Sequence, residues 1–210
     1  MKRRSFKLPA LPRIAFIVEG DESKWLVEAL ARKVVTRLCL KEQPCFETVR
    51  LFGSPQVMGL LSIVRLLLGR DYQRVIVVFD THTANNRRIS ELLREIQAPL
   101  LKGAVSGWVS LVPVVPSIER WVLADEEALV RAAGKPLPEE ALARGKSHPE
   151  EVLRELLGGW GPKEQKRVAR YLDPERIRAR DASFDTFARA LEDALGRRPE
   201  ATGPTAGSAP

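Results

Sequence analysis

Histidine and cysteine are scarce, with two of each in 210 residues. Cys39 and Cys45 have no second pair with which to complete a zinc site, and in a reducing compartment they read as free thiols. His82 and His148 lie far apart in sequence. That excludes a histidine-rich metal site and leaves neither a Ser–His–Asp nor a Cys–His arrangement to argue for. No apolar run reaches the roughly 18 residues that would span a bilayer. No signal peptide precedes the first strand pattern, so the expected compartment is the cytoplasm. A Walker B reading of Val77–Asp80 fails because no Gly-x-x-x-x-Gly-Lys loop precedes it. An aspartyl phosphatase would want aspartate after the first strand, where this chain has Glu19. No internal repeat is visible.

What the chain has in quantity is charge. Hydrophobic residues make up 44% and charged residues 29%, an ordinary composition for a folded domain. The formal charge is +7 and the pI about 9.7, which favours an anionic partner such as nucleic acid. The 27 acids are interspersed among the bases, so the bias is modest.

The order of elements is legible from periodicity. Arg13–Val18 is a short apolar run rich in β-branched residues, which reads as a strand buried on both faces. Trp25, Leu26, Ala29, Leu30, Val34 and Leu38 then recur at helical spacing. Phe46–Phe52 reads as a second strand, broken by Gly53-Ser54-Pro55. Val57, Leu60, Leu61, Val64, Leu67 and Leu68 give a helix closed by Gly69. Arg74–Phe79 is the clearest buried strand, followed by a helix carrying Ile89, Leu92, Leu93 and Ile96. Trp108–Val115 is a fourth strand, stopped by Pro116. Such alternation predicts an α/β fold with a mainly parallel sheet of about four strands covered by helices.

Beyond Pro116 the pattern is helical. Ser117 is the expected N-cap of a helix bearing Trp121, Val122, Ala124, Ala128 and Leu129. Ser147-His148-Pro149-Glu150 reads as a capping box, Asp173-Pro174 as a helix start, and Ser183 as the cap of a last helix with Phe184, Phe187, Ala188 and Leu191 inside. The expected organisation is a basic N-terminal arm (1–12), an α/β core (13–116), a helical extension packed on it (117–196) and a disordered tail (197–210).

Two strands end in acids, Glu19 and Asp80. In open α/β sheets ligands sit beyond the carboxyl ends of the strands, so if these strands are neighbours the carboxylates converge there. Grouped carboxylates repel unless a divalent cation neutralises them, and oxygen ligands suit Mg²⁺ or Mn²⁺. A single strand-end acid has a simpler reading, as a cap on the turn that follows.

Ile17-Val18-Glu19-Gly20, with Val77-Val78-Phe79-Asp80-Thr81-His82, resembles the Toprim domain. More narrowly the chain is similar to Toprim-like proteins related to the OLD-family (overcoming-lysogenization-defect) nucleases. Three further segments carry that resemblance: Pro116–Asp125, Lys146–Leu153 and Ala182–Phe187. It implies a Toprim-like fold and a metal-dependent phosphodiesterase centre acting on DNA or RNA. In that centre Glu19 is a metal ligand or general acid/base, Asp80 is a metal ligand and Glu119 is a further nearby acid. Some relatives are encoded with an ATPase partner and implicated in phage defence, so the resemblance extends to such a partner.

The chain departs from the family pattern at two places. His82 replaces the second acid of the D-x-D motif, and Glu22-Ser23 stands where many relatives have Thr-Glu. A neutral imidazole binds Mn²⁺ but is a poor Mg²⁺ ligand; Glu22 is a candidate substitute for the displaced acid. The two expectations are therefore a Mg²⁺- or Mn²⁺-dependent nuclease, and a catalytically degraded Toprim scaffold that binds nucleic acid or an ATPase. Asp125 lies about 240° around a helix from Glu119 and reads as structural. Arg87 and Arg88, after the Asp80 loop, are candidate phosphate contacts. Lys163, Lys166, Arg167 and Arg170 form a basic stripe able to track a nucleic-acid backbone. A solvated face is the simpler reading for both sets.

Overall fold

The structure is a computed structural model that describes residues 12–38, 40, 44–51 and 59–196, apart from the side chains of Asp21 and Glu22. The expectations for the basic arm before Pro12, Cys39, the Gly53-Ser54-Pro55 break, Val57, the side chain of Glu22 and the tail from Arg197 lie outside the described residues.

Four strands form one sheet: β1 (Arg13–Val18), β2 (Cys45–Arg50), β3 (Arg74–Asp80) and β4 (Val109–Val114). The order is β2-β1-β3-β4 and every pair is parallel. The fold is therefore α/β, as the strand–helix alternation and the Toprim resemblance lead one to expect. Strands β1 and β3 occupy the centre, which is why their sequences are continuous apolar runs. Along β1, Ile14, Phe16 and Val18 enter one core while Ala15 and Ile17 enter the other. Along β3 the same alternation assigns Ile76 and Val78 to the first core and Val75, Val77 and Phe79 to the second.

The second core is covered by α2 (Gly59–Leu68) and α3 (Asn86–Lys102), the first by α1 (Asp21–Arg37) and the C-terminal helices. Those helices are α4 (Glu119–Leu123), α5 (Glu126–Ala133), α6 (Glu139–Arg144), α7 (Pro149–Leu157), α8 (Pro162–Ala169), α9 (Pro174–Arg180) and α10 (Ala182–Ala194). Three of them open with proline in the first turn, Pro149, Pro162 and Pro174, where the missing N–H costs no helical bond. Helix α10 lies on β3 and β4 and fixes the extension to the sheet through aromatic contacts. Phe187 packs 5.9 Å from Phe16 and 5.2 Å from Trp121, and Phe184 meets Trp121 edge-on at 5.2 Å. Each fully buried ring contributes about 2–3 kcal/mol by burial. Among the described residues no helix is long and apolar enough to cross a membrane.

Four sequence expectations are corrected. The single helix after Pro116 is two helices, because Asp125 ends one and caps the next by accepting from the Ala128 N–H at 3.1 Å. Ser117 does not cap α4; Ile118 holds that position, and the Ser117 hydroxyl donates to Glu119 Oε2 at 2.6 Å. Ser147 forms no capping box, since His148 is the N-cap residue of α7 and makes no side-chain cap bond. Ser183 is displaced as a cap by Asp181, which accepts from the N–H groups of Ser183 and Phe184. A carboxylate two residues earlier reaches both orphan donors, and the serine hydroxyl instead accepts from Trp121 Nε1 at 2.8 Å.

Candidate active site

The chain runs from β1 outward to β2, then returns past β1 to β3 and continues to β4. The direction of winding therefore reverses between β1 and β3, and the crevice at such a switch point is where open α/β sheets hold ligands. Glu19 directly follows β1 and Asp80 ends β3, so both sit at the same carboxyl end of adjacent strands. They line one cleft of about 590 Å³.

Asp80 is fixed by its surroundings. Its Oδ1 accepts from the Ile118 N–H at 3.0 Å. The next residues are tied to the end of β4: the Thr81 N–H and hydroxyl both donate to the Val114 carbonyl, and the His82 N–H donates to that of Pro116 at 2.8 Å. Burial pushes the Asp80 carboxyl up to about 8; Glu119 and then Glu19 push the same way, and the Ile118 N–H opposes them. Glu19 is also raised, first by burial, against a downward pull from His82 and from a backbone hydrogen bond at Asp80. Two neighbouring carboxyls with raised pKa values, in a cleft, are an arrangement that folding alone does not require.

The other expected ligands are less committed to this pair. His82 Nε2 lies 3.7 Å from Glu19 Oε2, yet its side chain is 74% exposed. Its backbone adopts a left-handed conformation (φ 51°), which asparagine, aspartate and histidine enter more readily than other non-glycine residues. Glu119 is buried and also lines the cleft, but both of its oxygens are engaged. Oε1 accepts from Trp160 Nε1 at 3.1 Å and Oε2 from the Ser117 hydroxyl. Among the described residues no three His, Cys, Asp or Glu side chains are placed to hold one metal ion together.

The candidate phosphate contacts fall elsewhere. Arg87 and Arg88 open α3, exposed and paired with Glu91 at 3.2 and 3.4 Å, and neither lines the cleft. Lys163 and Lys166 are exposed on α8, while Arg167 turns inward and donates to the Leu157 carbonyl at 3.0 Å. Its Nε is buried without a partner. Arg167 is thus part of the α7–α8 packing and not of the surface stripe.

The cleft also has lining residues that the sequence reading gave no role. Arg50 ends β2 opposite Val18 and brings a guanidinium to the strand-end wall. The far wall is the start of α7: Ser147, His148, Pro149, Glu150 and Glu151. Arg50 carried no signal of this, since it lay inside the expected second strand, Phe46–Phe52, and only the observed end of β2 puts it at the wall. The far wall carried only its place in the Lys146–Leu153 segment, because the packing of α7 on α4 brings it there. Compared with known proteins, the chain matches no family model, no curated protein and no solved structure.

Proposed function

We propose that the protein is a divalent-metal-dependent phosphodiesterase acting on nucleic acid, of the Toprim-like kind related to the OLD-family nucleases. The observation that carries this reading is the meeting of Glu19 and Asp80 in one cleft at the switch point of a parallel sheet, with raised pKa values in both. The donor set fits one cation better than two. Mg²⁺ is commonly held by one or two carboxylates plus substrate phosphate and retained water, which a Glu–Asp pair in an open cleft can supply. Such a cation, when bound, polarises a phosphoryl oxygen and orients a water.

The chain's own groups take the remaining roles. Asp80 would hold the cation in its ionised form, with the Ile118 N–H keeping the carboxylate aimed. Glu19, whose side chain is 20% exposed, reaches the cleft and would be the other carboxylate of the pair that holds the cation. Arg50 lines the same wall and offers charge to a phosphate. An ATPase partner and a part in phage defence belong to the same proposal, on the resemblance alone.

A second reading, a Toprim scaffold without catalysis, is favoured by the hydrogen bonds that already occupy both Glu119 oxygens and by the exposure of His82. Mn²⁺ titration of the purified protein, followed by a plasmid-nicking assay with Glu19→Gln, separates the two. A nuclease loses its metal-dependent cleavage with this change while its melting temperature holds or rises. A scaffold shows no metal-dependent cleavage in the wild type and a lower melting temperature in the variant.

A further inference from the structure

The first helix begins with an exposed tryptophan that the periodicity assigned to the core. Trp25 is 45% exposed, whereas its neighbours Leu26 and Val27 are buried. It borders a second concavity, a groove of about 400 Å³ between α1 and α8 lined by Trp25, Ala29, Gln165, Lys166, Ala169 and Arg170. The Lys166 ammonium lies over the indole at 4.1 Å from the ring centre, a cation–π contact. Lys163, Lys166 and Arg170 follow one another at three- and four-residue spacing along α8, so their charges share one face. At the groove wall Gln165 is 2% exposed and its side-chain oxygen has no hydrogen-bond partner.

We propose that this groove binds single-stranded nucleic acid, with a base stacked on Trp25 and the adjoining phosphates on Lys163, Lys166 and Arg170. The proposal deepens the nucleic-acid reading of the cleft and rests on it for the choice of anion. A single strand needs an aromatic surface next to cations: with Lys166 over one face of the indole, a base stacks on the exposed remainder of the ring and the cations follow the backbone. A duplex keeps its bases stacked on each other and cannot use the indole. Ser23 lines the cleft and Trp25 the groove, two residues apart on the same turn of α1.

The test uses the full chain and fluorescence anisotropy in EDTA, so that binding is read without cleavage. The probes are a labelled (dC-dA)₆ single strand and its duplex with (dT-dG)₆. Wild type is expected to bind the single strand more tightly than the duplex. Trp25→Ala should weaken single-strand binding about ten- to a hundredfold, the size typical of removing a base-stacking aromatic, with little change on the duplex. Trp25→Phe should stay within a few-fold of wild type. Trp25→Leu, which keeps apolar bulk, serves if alanine destabilises the helix and should lose as much. Lys166→Ala should lower the salt slope of log Kd by about one.

Equal single-strand affinity in wild type and Trp25→Leu, equal losses on both probes, or binding to anionic lipid vesicles without binding to the oligonucleotide would each overturn the proposal. If Trp25 variants lose binding while wild type cleaves nothing in Mn²⁺, the groove stands and the phosphodiesterase reading falls. If wild type cleaves and the Trp25 variants bind normally, the reverse holds.

Discussion

Asp80, half-buried, and Asp125, fully buried, are two aspartates surrounded in opposite ways. Asp125 sits at the α4–α5 junction, fully buried, and every neighbour answers its charge. It accepts from the Ala128 N–H, from the Asp173 N–H at 2.6 Å and from Arg176 Nε at 2.7 Å and Nη2 at 3.2 Å. Asp80 receives one backbone N–H, and its charged neighbours are Glu119 and Glu19. The junction needs a charge and satisfies it from within the chain. The strand end instead sets Asp80 beside two further carboxyls, with Arg50 and His82 at the cleft wall, an arrangement more common at sites than in packing. The two carboxylates can therefore be told apart by what their removal does to the fold.

The largest effect is expected at Asp125. Replacing it with alanine leaves the Ala128 and Asp173 N–H groups without their acceptor, at about 1–3 kcal/mol each, while Arg176 keeps Glu127 at 3.0 Å. For a chain of this size that lowers the melting temperature by roughly 10 °C. Asp80→Asn should do the opposite at pH 8. The amide oxygen still accepts from Ile118, and repulsion among the three acids falls. Thermal melts of both variants beside wild type check the contrast. A fall in melting temperature for Asp80→Asn matching that of Asp125→Ala would make Asp80 a structural residue.

The next effect is in pH, and its sign follows from the direction of the Asp80 shift. Unfolded, the carboxyl ionises near 3.8; folded, it holds its proton to about 8. Between those values the folded state binds more protons, so this group lowers stability as pH rises, with a slope of at most about 1.4 kcal/mol per pH unit. Its cost is absent below the unfolded value and complete above about 8. The melting-temperature advantage of Asp80→Asn should widen steadily from pH 5 to pH 8 and then level off. Binding of Mn²⁺ needs the ionised form, so affinity in calorimetric titrations should rise up to about tenfold per pH unit over the same window. A pH-independent affinity would separate Asp80 from the metal.

The sheet was legible because its central strands are buried on both sides and so read as unbroken runs, Ile14–Val18 and Val75–Phe79. The strand-end acids were legible because each interrupts such a run. Asp173-Pro174 was legible as a helix start, and Asp173 does cap α9; the serine caps were not, although serines stood near all three of the other starts. A cap is decided by which side chain reaches the orphan N–H groups first, and Asp181 outcompetes Ser183 while Trp121, from 62 residues away, claims the serine. The far wall of the cleft depended on α7 reaching α4, a contact with no local signal. Trp25 was misplaced because helical spacing allows two neighbouring stripes on α1. The one that faces the core runs through Leu26, Leu30 and Ala31, and leaves Trp25 at its edge.

The smallest expected effect lies at His82, where this chain departs from the D-x-D pattern. The left-handed backbone there (φ 51°) is one that aspartate tolerates, and the N–H that fixes it is donated to the Pro116 carbonyl whatever the side chain. His82→Asp should therefore fold as wild type does, within about 0.5 kcal/mol, as an exposed substitution should. Its electrostatic consequence is directional. An imidazole 3.7 Å from Glu19 is exchanged for a further carboxylate beside three that already repel, which raises the Glu19 and Asp80 carboxyls further in the free protein. With a cation present the same change supplies oxygen where there was nitrogen, and the preference should move from Mn²⁺ toward Mg²⁺ by a few-fold. Parallel titrations of wild type and variant with both ions read that ratio directly. An unchanged ratio would assign His82 to the solvent, in keeping with its exposure, and leave Glu19 and Asp80 to hold the ion as a pair.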